Sequence, residues 1–384
     1  MNASLNEKLR NVKWGEHKLG DIFSVLSYKK RFDTNKVCVL ETGRYPYIVR
    51  MGADNGQKGY LNENIKYLNE GNTISFGQDT ATVFYQEKPF FTGDKIKILK
   101  PRNTKFCKKN AQFFIAAMNL AFSSFSWGST SFSIEIIKNV MLSLPTTFDG
   151  EVDYDYMNSL IAEVEAERVD ALALYLSDSG LSKTVLNKRE VDALCHLNSV
   201  QWGKYRVGDL FQKIETQSLP YKAKELPSEA TPNYTLPCLT SSFKNQGLNY
   251  FVPRQGATIL KNVITIPQNS DVYRAYYQSS EFTVLSDAYA MDWHYDNRQL
   301  TREQYLFLVM CINKVTDLPI YSYKNKLGGW NVVKEKNISL PVSNGEIDFE
   351  FMNHLISAIE KEAIKDVVNY VHEKTSGSKV IASE

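Results

Sequence analysis

The feature that most limits what this chain can become is a long segment that occurs twice. Residues 142–176 read LSLPTTFDGEVDYDYMNSLIAEVEAERVDALALYL, and residues 338–371 read ISLPVSNGEIDFEFMNHLISAIEKEAIKDVVNYV. Leu144-Pro145 recurs as Leu340-Pro341 after 196 positions. Asp153, Met157, Asn158, Leu160, Ile161, Val164 and Tyr175 recur as Asp348, Met352, Asn353, Leu355, Ile356, Ile359 and Tyr370 after 195. A period of about 190 residues is too long for a solenoid unit. It means two copies of a whole domain, each leaving through the same kind of segment.

Both segments have a helical period. Met157, Leu160, Ile161, Val164 and Leu172 share a face in the first copy, as do Met352, Leu355, Ile356, Ile359 and Val367 in the second. Asp153 and Asp348 stand where a carboxylate caps free N–H groups, and Gly180 follows the first segment as a stop. About 25 residues at ~1.5 Å each give a rod of roughly 37 Å. One apolar stripe needs a partner. The ten apolar residues are therefore expected to face the other rod or a partner protein, with the rods paired antiparallel in pseudo-twofold fashion. The alternative is that each rod packs only on its own domain.

The domains open alike. Val12-Lys13-Trp14-Gly15 leads to Leu19-Gly20-Asp21-Ile22-Phe23, and 188 positions on Val200-Gln201-Trp202-Gly203 leads to Val207-Gly208-Asp209-Leu210-Phe211. The Trp and Phe of each opening read as core anchors. Between opening and exit the chain is rich in strands and turns, with one helix per domain near 109–122 and 302–312. The expected fold is α+β: a first domain over 1–147, a rod and connector over 148–199, a second domain over 200–342, and a second rod and tail over 343–384.

Charge is distributed unevenly. Residues 13–147 hold 19 Lys and Arg against 11 Asp and Glu, and residues 200–342 hold 16 against 12. Residues 149–179 hold 1 against 9, and residues 345–374 hold 3 against 7. Basic globules on acidic rods suggest that the globules meet a polyanion, although exposed helices favour acidic residues anyway. Cys38, Cys107, Cys195, Cys238 and Cys311 are scattered without a CxxC pair, which suits a reducing cytosol. No apolar run is long enough for a membrane span.

Common catalytic signatures are missing. The chain has no GxxxxGK[ST] phosphate loop, no Asp/Asn-Pro-Pro-Tyr/Phe run, no GxSxG and no HExxH. What remains are polar loops whose side chains carry the paired donors and acceptors that read base edges. In the first domain these are Arg50, Asn55, Lys58, Gln78, Asp79, Thr80, Ser129 and Thr130. In the second they are Lys244, Asn245, Gln268, Asn269, Arg274, Lys324, Asn325 and Lys326. Lys95 and Lys97 suit phosphate, which gives affinity without sequence information. Trp127 could wedge against DNA or sit half-buried. Asn55 and Asn245 could equally serve turn geometry.

These residues carry a family resemblance. The W-x4-LGDIF and W-x4-VGDLF openings and the LSLP and ISLP exits are joined by PYIVRMGADNGQKGYL, GNTISFGQDTATVFYQEKPFFTGDKIKIL and FSWGSTSF. In this order they resemble the DNA-specificity subunits of type I restriction–modification systems and of the similar BcgI-like type IIB enzymes. The likeness spans residues 12–374, and rods this short favour the BcgI-like branch. It implies two target-recognition domains on helical spacers and a bipartite DNA site. It also implies two partner methyltransferase subunits, separate from or fused to a nuclease. S-adenosylmethionine and Mg²⁺ would belong to those partners, with no cofactor, metal or catalytic residue in this cytoplasmic chain. Two other readings stay open: a nuclease whose metal carboxylates converge only in three dimensions, with Asp79 and Asp94 as suspects, and a scaffold that binds protein alone.

Overall fold

The computed structural model describes residues 3–123 and 132–381. Its contacts divide it into two units, residues 1–172 with 374–384, and residues 173–373. Each unit holds one α+β domain, and the strands of the first recur in order in the second, which adds a short strand, Glu346–Ile347, beside Asn337–Ser343.

In the first domain, Trp14–Lys18 pairs antiparallel with Met141–Pro145, setting Trp14 opposite Pro145 and Gly15 opposite Leu144. In the second, Gln201–Arg206 pairs with Asn337–Ser343, setting Trp202 opposite Pro341 and Gly203 opposite Leu340. The recurring opening and exit are thus the two strands of one ribbon, which closes each domain where the chain enters and leaves.

Beyond the ribbon lie two sheets. The four-stranded antiparallel sheet runs Phe23–Ser27, Ile96–Pro101, Thr73–Gly77, Val83–Gln86 in the first domain. It runs Phe211–Lys213, Ala288–Trp293, Val263–Pro267, Tyr276–Gln278 in the second. Both Thr73–Gly77 and Val263–Pro267 are buried at every position. The helices Lys108–Phe122 and Arg302–Thr316 supply the apolar cover, through Phe114 and Met118 in one and Leu308 and Ile312 in the other. A smaller sheet sets Pro46–Ile48 between Gln57–Tyr60 and the parallel strand Phe91–Thr92. Its copy sets Leu236–Leu239 between Leu248–Val252 and Thr283–Val284.

The tryptophans correct an expectation. Phe23 and Phe211 are core, at 0% and 1% exposed, but Trp14 and Trp202 are 44% and 42% exposed. Burial alternates along each ribbon strand, and the indoles lie on the open side. Trp14 Nε1 donates to the Leu9 carbonyl at 3.1 Å, and Trp202 stacks on Phe307 with centroids 6.3 Å apart.

The rods are the helices Tyr154–Asp178, of 25 residues, and Phe349–Ile381, of 33, so the second outruns the repeat. Asp153 and Asp348 cap them, accepting from the backbone N–H of Tyr156 at 2.9 Å and of Phe351 at 2.8 Å. Their first turns are core. Tyr154 and Met157 join the first domain's cluster, while Phe349, Met352, Leu355 and Ile356 join the second's. Met157, Met352, Leu355 and Ile356 therefore move from the expected shared face into the core of each rod's own domain. Leu160 is buried and Ile161, Val164 and Leu172 are half-buried. Ile359 and Val367 are each 40% exposed. Ile364, Val368 and Val371 carry the covered face at steps of four and three, which turns Val367 outward.

A short helix precedes each ribbon and grips the rod that follows the same domain. In the second unit this is Lys188–His196, whose Glu190 is 3% exposed. The Glu190 carboxylate accepts from Lys361 Nζ at 2.8 Å and from Ser357 Oγ at 2.7 Å. In the first unit it is Ala3–Asn11, where Lys8 pairs with Glu163 in the open and Tyr156 donates its hydroxyl to the Lys8 carbonyl at 3.0 Å.

Candidate nucleic-acid interface

The polar residues singled out from the sequence gather on two turns in each domain, and the backbone of those turns is duplicated. The first turn joins the strands of the small sheet. Val49 N–H donates to the Gly56 carbonyl at 2.8 Å, and Thr240 N–H to the Gly247 carbonyl at 3.0 Å. Asp54, Asn55 and Gly56 have φ of 50°, 54° and 73°, and Asn245, Gln246 and Gly247 have 45°, 54° and 88°. Two left-handed non-glycine residues in succession cost roughly 1–2 kcal/mol each, so something must hold them. A buried glutamine does so. Gln86, 4% exposed, donates Nε2 to the Asn55 carbonyl at 3.1 Å and to Ser75 Oγ at 3.0 Å. Gln278, 3% exposed, donates to the Gln246 carbonyl and Thr265 Oγ1, both at 3.1 Å.

This geometry sets the register between the two turns. Asn55 matches Gln246, 191 positions on, and Asn245 matches Asp54. Sequence identity draws Asn245 to Asn55, one position out of register. The Asn55 amide donates to the Tyr85 carbonyl at 3.0 Å and that of Asn245 to Asn249 Oδ1 at 3.3 Å, so both combine a turn role with an exposed polar edge.

The second turn follows the central strand. Gln78 N–H donates to the Lys95 carbonyl at 2.9 Å, and Gln268 N–H to the Asp287 carbonyl at 2.7 Å. Lys95 and Asp287 share a left-handed φ of 55° and 54°. The frame is common but the chemistry is inverted. Asp79 is held by the Lys95 ammonium at 2.8 Å and by the Arg50 guanidinium. At the matching place the Asn269 amide donates to the Asp287 carboxylate at 2.7 Å. Thr80 pairs with Thr82, their hydroxyls 2.9 Å apart. Beside this turn lies a cleft of about 400 Å³ lined by Arg31, Asp33, Thr34, Arg50, Thr80 and Asp94, among others.

In the second domain the loop after the helix Arg302–Thr316 folds onto the second turn. Tyr323 N–H donates to Asp271 Oδ1 at 3.0 Å. A Cβ on Gly329 would stand 2.7 Å from the Gln268 amide nitrogen, so the two loops touch at this glycine. Lys324 is exposed, Asn325 Nδ2 donates to the Ile320 carbonyl at 2.7 Å, and Lys326 lies 4.9 Å over the Tyr323 ring. The first domain's matching loop contains Trp127, Ser129 and Thr130, which lie outside the described residues. Phe132 N–H donates to the Gln78 carbonyl at 3.4 Å, returning the chain to the same turn.

Not every named residue joins these turns. Lys58 is exposed on Gln57–Tyr60, and Lys97 donates to Ser27 Oγ at 3.2 Å from the face of the four-stranded sheet. Arg274 is tied to Asp317 at 2.7 Å, and that partner holds its guanidinium above the ordinary range. The Asp79 and Asp94 carboxylates face cations, Asp94 lying 3.6 Å from Arg31. Among the described residues no three His, Cys, Asp or Glu side chains converge as a metal site needs. Sequence reading missed Arg31, Phe243, Gln246 and Asp287. The double spacing of Gln86 and Gln278 from their left-handed turns was the signal that could have found the frame.

The arrangement offers amides, guanidinium, ammonium and carboxylate groups on rigid turns of two basic domains, which is the equipment of base readout. No described helix is long and apolar enough to cross a membrane. Comparison with known proteins agrees with this reading. The chain is 25% identical over 357 residues to the specificity subunit S.BcgI of a type II restriction enzyme from Heyndrickxia coagulans, covering 92% of this chain and 96% of that protein. Its fold is similar to that of the S subunit of a type I restriction-modification system from M. genitalium, with a TM-score of 0.59 at 15% identity over 97% of this chain and 94% of that one. The family model of the type I restriction modification DNA specificity domain matches twice, over residues 11–173 and 199–370. With both matches falling on the two duplicated domains and their rods, the chain belongs to the family of type I restriction–modification DNA specificity proteins.

Proposed function

We propose that this chain is a non-catalytic DNA-reading subunit that places partner adenine methyltransferases on a bipartite target, one half-site per domain. The observation that carries the reading is the pairing of one duplicated frame with two unlike sets of polar side chains, Asp79 with Lys95 against Asn269 with Asp287. Identical frames with different edges suit two half-sites of different sequence. The resemblance to S.BcgI along the whole chain favours the BcgI-like branch.

The mechanism is positional. The rods serve as spacers. A first rod of 25 residues is roughly 37 Å long, close to one DNA turn of ~34–36 Å. Exposed apolar side chains on the rods, Ile359, Val367 and Tyr370 among them, suit docking of two methyltransferases, with or without a fused nuclease. Those partners supply S-adenosylmethionine and Mg²⁺ chemistry and flip the target adenine to reach it. This chain holds the duplex in register while that happens, in the cytoplasm.

Methylated adenines mapped in the source genome with and without the gene test the proposal. One bipartite motif that disappears with the gene is expected. A methylation map that does not change sinks it, as does Mg²⁺-dependent cleavage of DNA by the isolated chain. A salt titration of binding to random duplexes separates DNA reading from a protein scaffold, because phosphate contacts make affinity fall steeply with salt.

A further inference from the structure

The turn at residues 49–56 and its copy at 240–247 divide their labour between backbone and side chains. Every buried contact that fixes the turn ends on a backbone atom. The glutamine amides reach the carbonyls of Asn55 and Gln246, and Thr240 Oγ1 reaches the Gly247 carbonyl at 3.2 Å. The flanking glycines, Gly56 and Gly247, match, and so do the hydroxyls of Ser75 and Thr265 that share the glutamines. The side chains between the anchors differ at every position: Arg50 against Ser241, Met51 against Ser242, Gly52 against Phe243, Ala53 against Lys244, Asp54 against Asn245, Asn55 against Gln246. The left-handed pair and the glycine after it are therefore shared although the six side chains differ.

The sharpest difference is at the tip. Phe243 is 51% exposed, and its carbonyl accepts from the Tyr276 hydroxyl at 3.2 Å. A ring fixed at its backbone and left in water beside Lys244 contributes little to the core. Its chemistry is that of a base-stacking contact. Gly52 holds the same place in the first domain, and a Cβ there would meet nothing within 4 Å.

We propose that residues 50–55 and 241–246 are exchangeable reading cassettes that set the half-site preference of their domains, with Phe243 stacking on a base of the second half-site. The proposal rests on the DNA-reading function above. The first cassette presents a guanidinium, a carboxylate and an amide, Arg50, Asp54 and Asn55, with Arg50 also paired to Asp79. The second presents a cation and two amides, Lys244, Asn245 and Gln246, suited to guanine and adenine edges.

The test uses the full chain and a random-sequence duplex pool. In one chimera Arg50→Ser, Met51→Ser, Gly52→Phe, Ala53→Lys, Asp54→Asn and Asn55→Gln are combined, keeping Gly56 and Gln86. The enriched first half-site is expected to shift toward the second domain's preference while the second half-site stays. A chimera that melts with the native chain yet enriches the native pair overturns the cassette. Enrichment of nothing by the native chain overturns DNA reading itself, which separates the two failures. Should the chimera not fold, Phe243→Gly decides alone. It puts the first domain's own residue on the same backbone, and a loss of about tenfold in affinity for the second half-site, with the first unchanged, is expected. Unaltered affinity at both refutes the stacking role.

Discussion

The two domains differ most where they are most alike in backbone. Around the turn after the central strand, the same left-handed residue faces the same loop, yet one domain places Lys95 against Asp79 and the other Asp287 against Asn269. The lesson is that each frame is held apart from the side chains it presents, here by backbone, Gln78 N–H on the Lys95 carbonyl and Gln268 N–H on the Asp287 carbonyl, and at the neighbouring turn by buried groups, Gln86 with Ser75 and Gln278 with Thr265. Because those groups bond backbone and each other, exposed side chains can change without disturbing the fold. The short helices that clasp the rods repeat the contrast in another form. One clasp is the buried Glu190 with Lys361 and Ser357, and the other the open Lys8 with Glu163.

The largest expected effect breaks the buried clasp. Glu190→Ala strands Lys361 and should cost the second unit about 3–5 kcal/mol in chemical denaturation. Burial alone would raise the Glu190 carboxyl, but hydrogen bonds from Lys361, Ser357 and the Asn187 N–H prevail and hold it below its usual range. A depressed folded value means the stabilisation is complete above the ordinary carboxylate range and lost as pH falls below it. Glu190→Gln should accordingly flatten the acid limb of the stability curve, and an unchanged limb would show that this carboxyl is not linked to folding.

Next come the frame glutamines. Gln278→Leu leaves the Gln246 carbonyl without its buried donor and should cost about 1–3 kcal/mol, with affinity falling for the second half-site. Gln86→Leu should do the same for the first. Equal losses on both half-sites from either change would mean that the turns are not independent.

Smaller effects sharpen the surface comparison. Asn269→Ala should relax base preference in the second half-site by about 1–3 kcal/mol of discrimination, whereas Lys95→Ala should weaken all sequences alike and lower the salt slope by about 1. Competition binding at several salt concentrations separates them. The smallest change is expected from Lys8→Ala, under about 1 kcal/mol, because its ion pair is exposed. A loss there as large as that of Glu190→Ala would end the contrast between the clasps.

Much of the architecture is legible in the residues alone. The duplicated exits place both rods and their Asp153 and Asp348 caps, since period and capping are local properties, whereas the pairing of openings with exits as ribbon strands appears only in the fold. The misreadings share a physical origin. Trp14 and Trp202 look like anchors by size and spacing, but which side of a ribbon strand faces the core is settled by what packs there. Met157, Met352, Leu355 and Ile356 lie on a helical stripe in the sequence, and a stripe does not say which neighbour covers it. Identity matches Asn245 to Asn55, while the register is set one residue later by a glutamine more than 30 positions downstream.

By itself, the sequence determined that there are two copies of one domain, each leaving through a capped amphipathic helix, with basic globules and acidic rods. Repetition, helical period and charge are written residue by residue along the chain. Only the tertiary structure decided which polar side chains share a surface and which are consumed in holding it. A glutamine becomes a frame and an aspartate a partnered group only when distant segments close around them, and that depends on burial and approach across the fold rather than on neighbours in the chain.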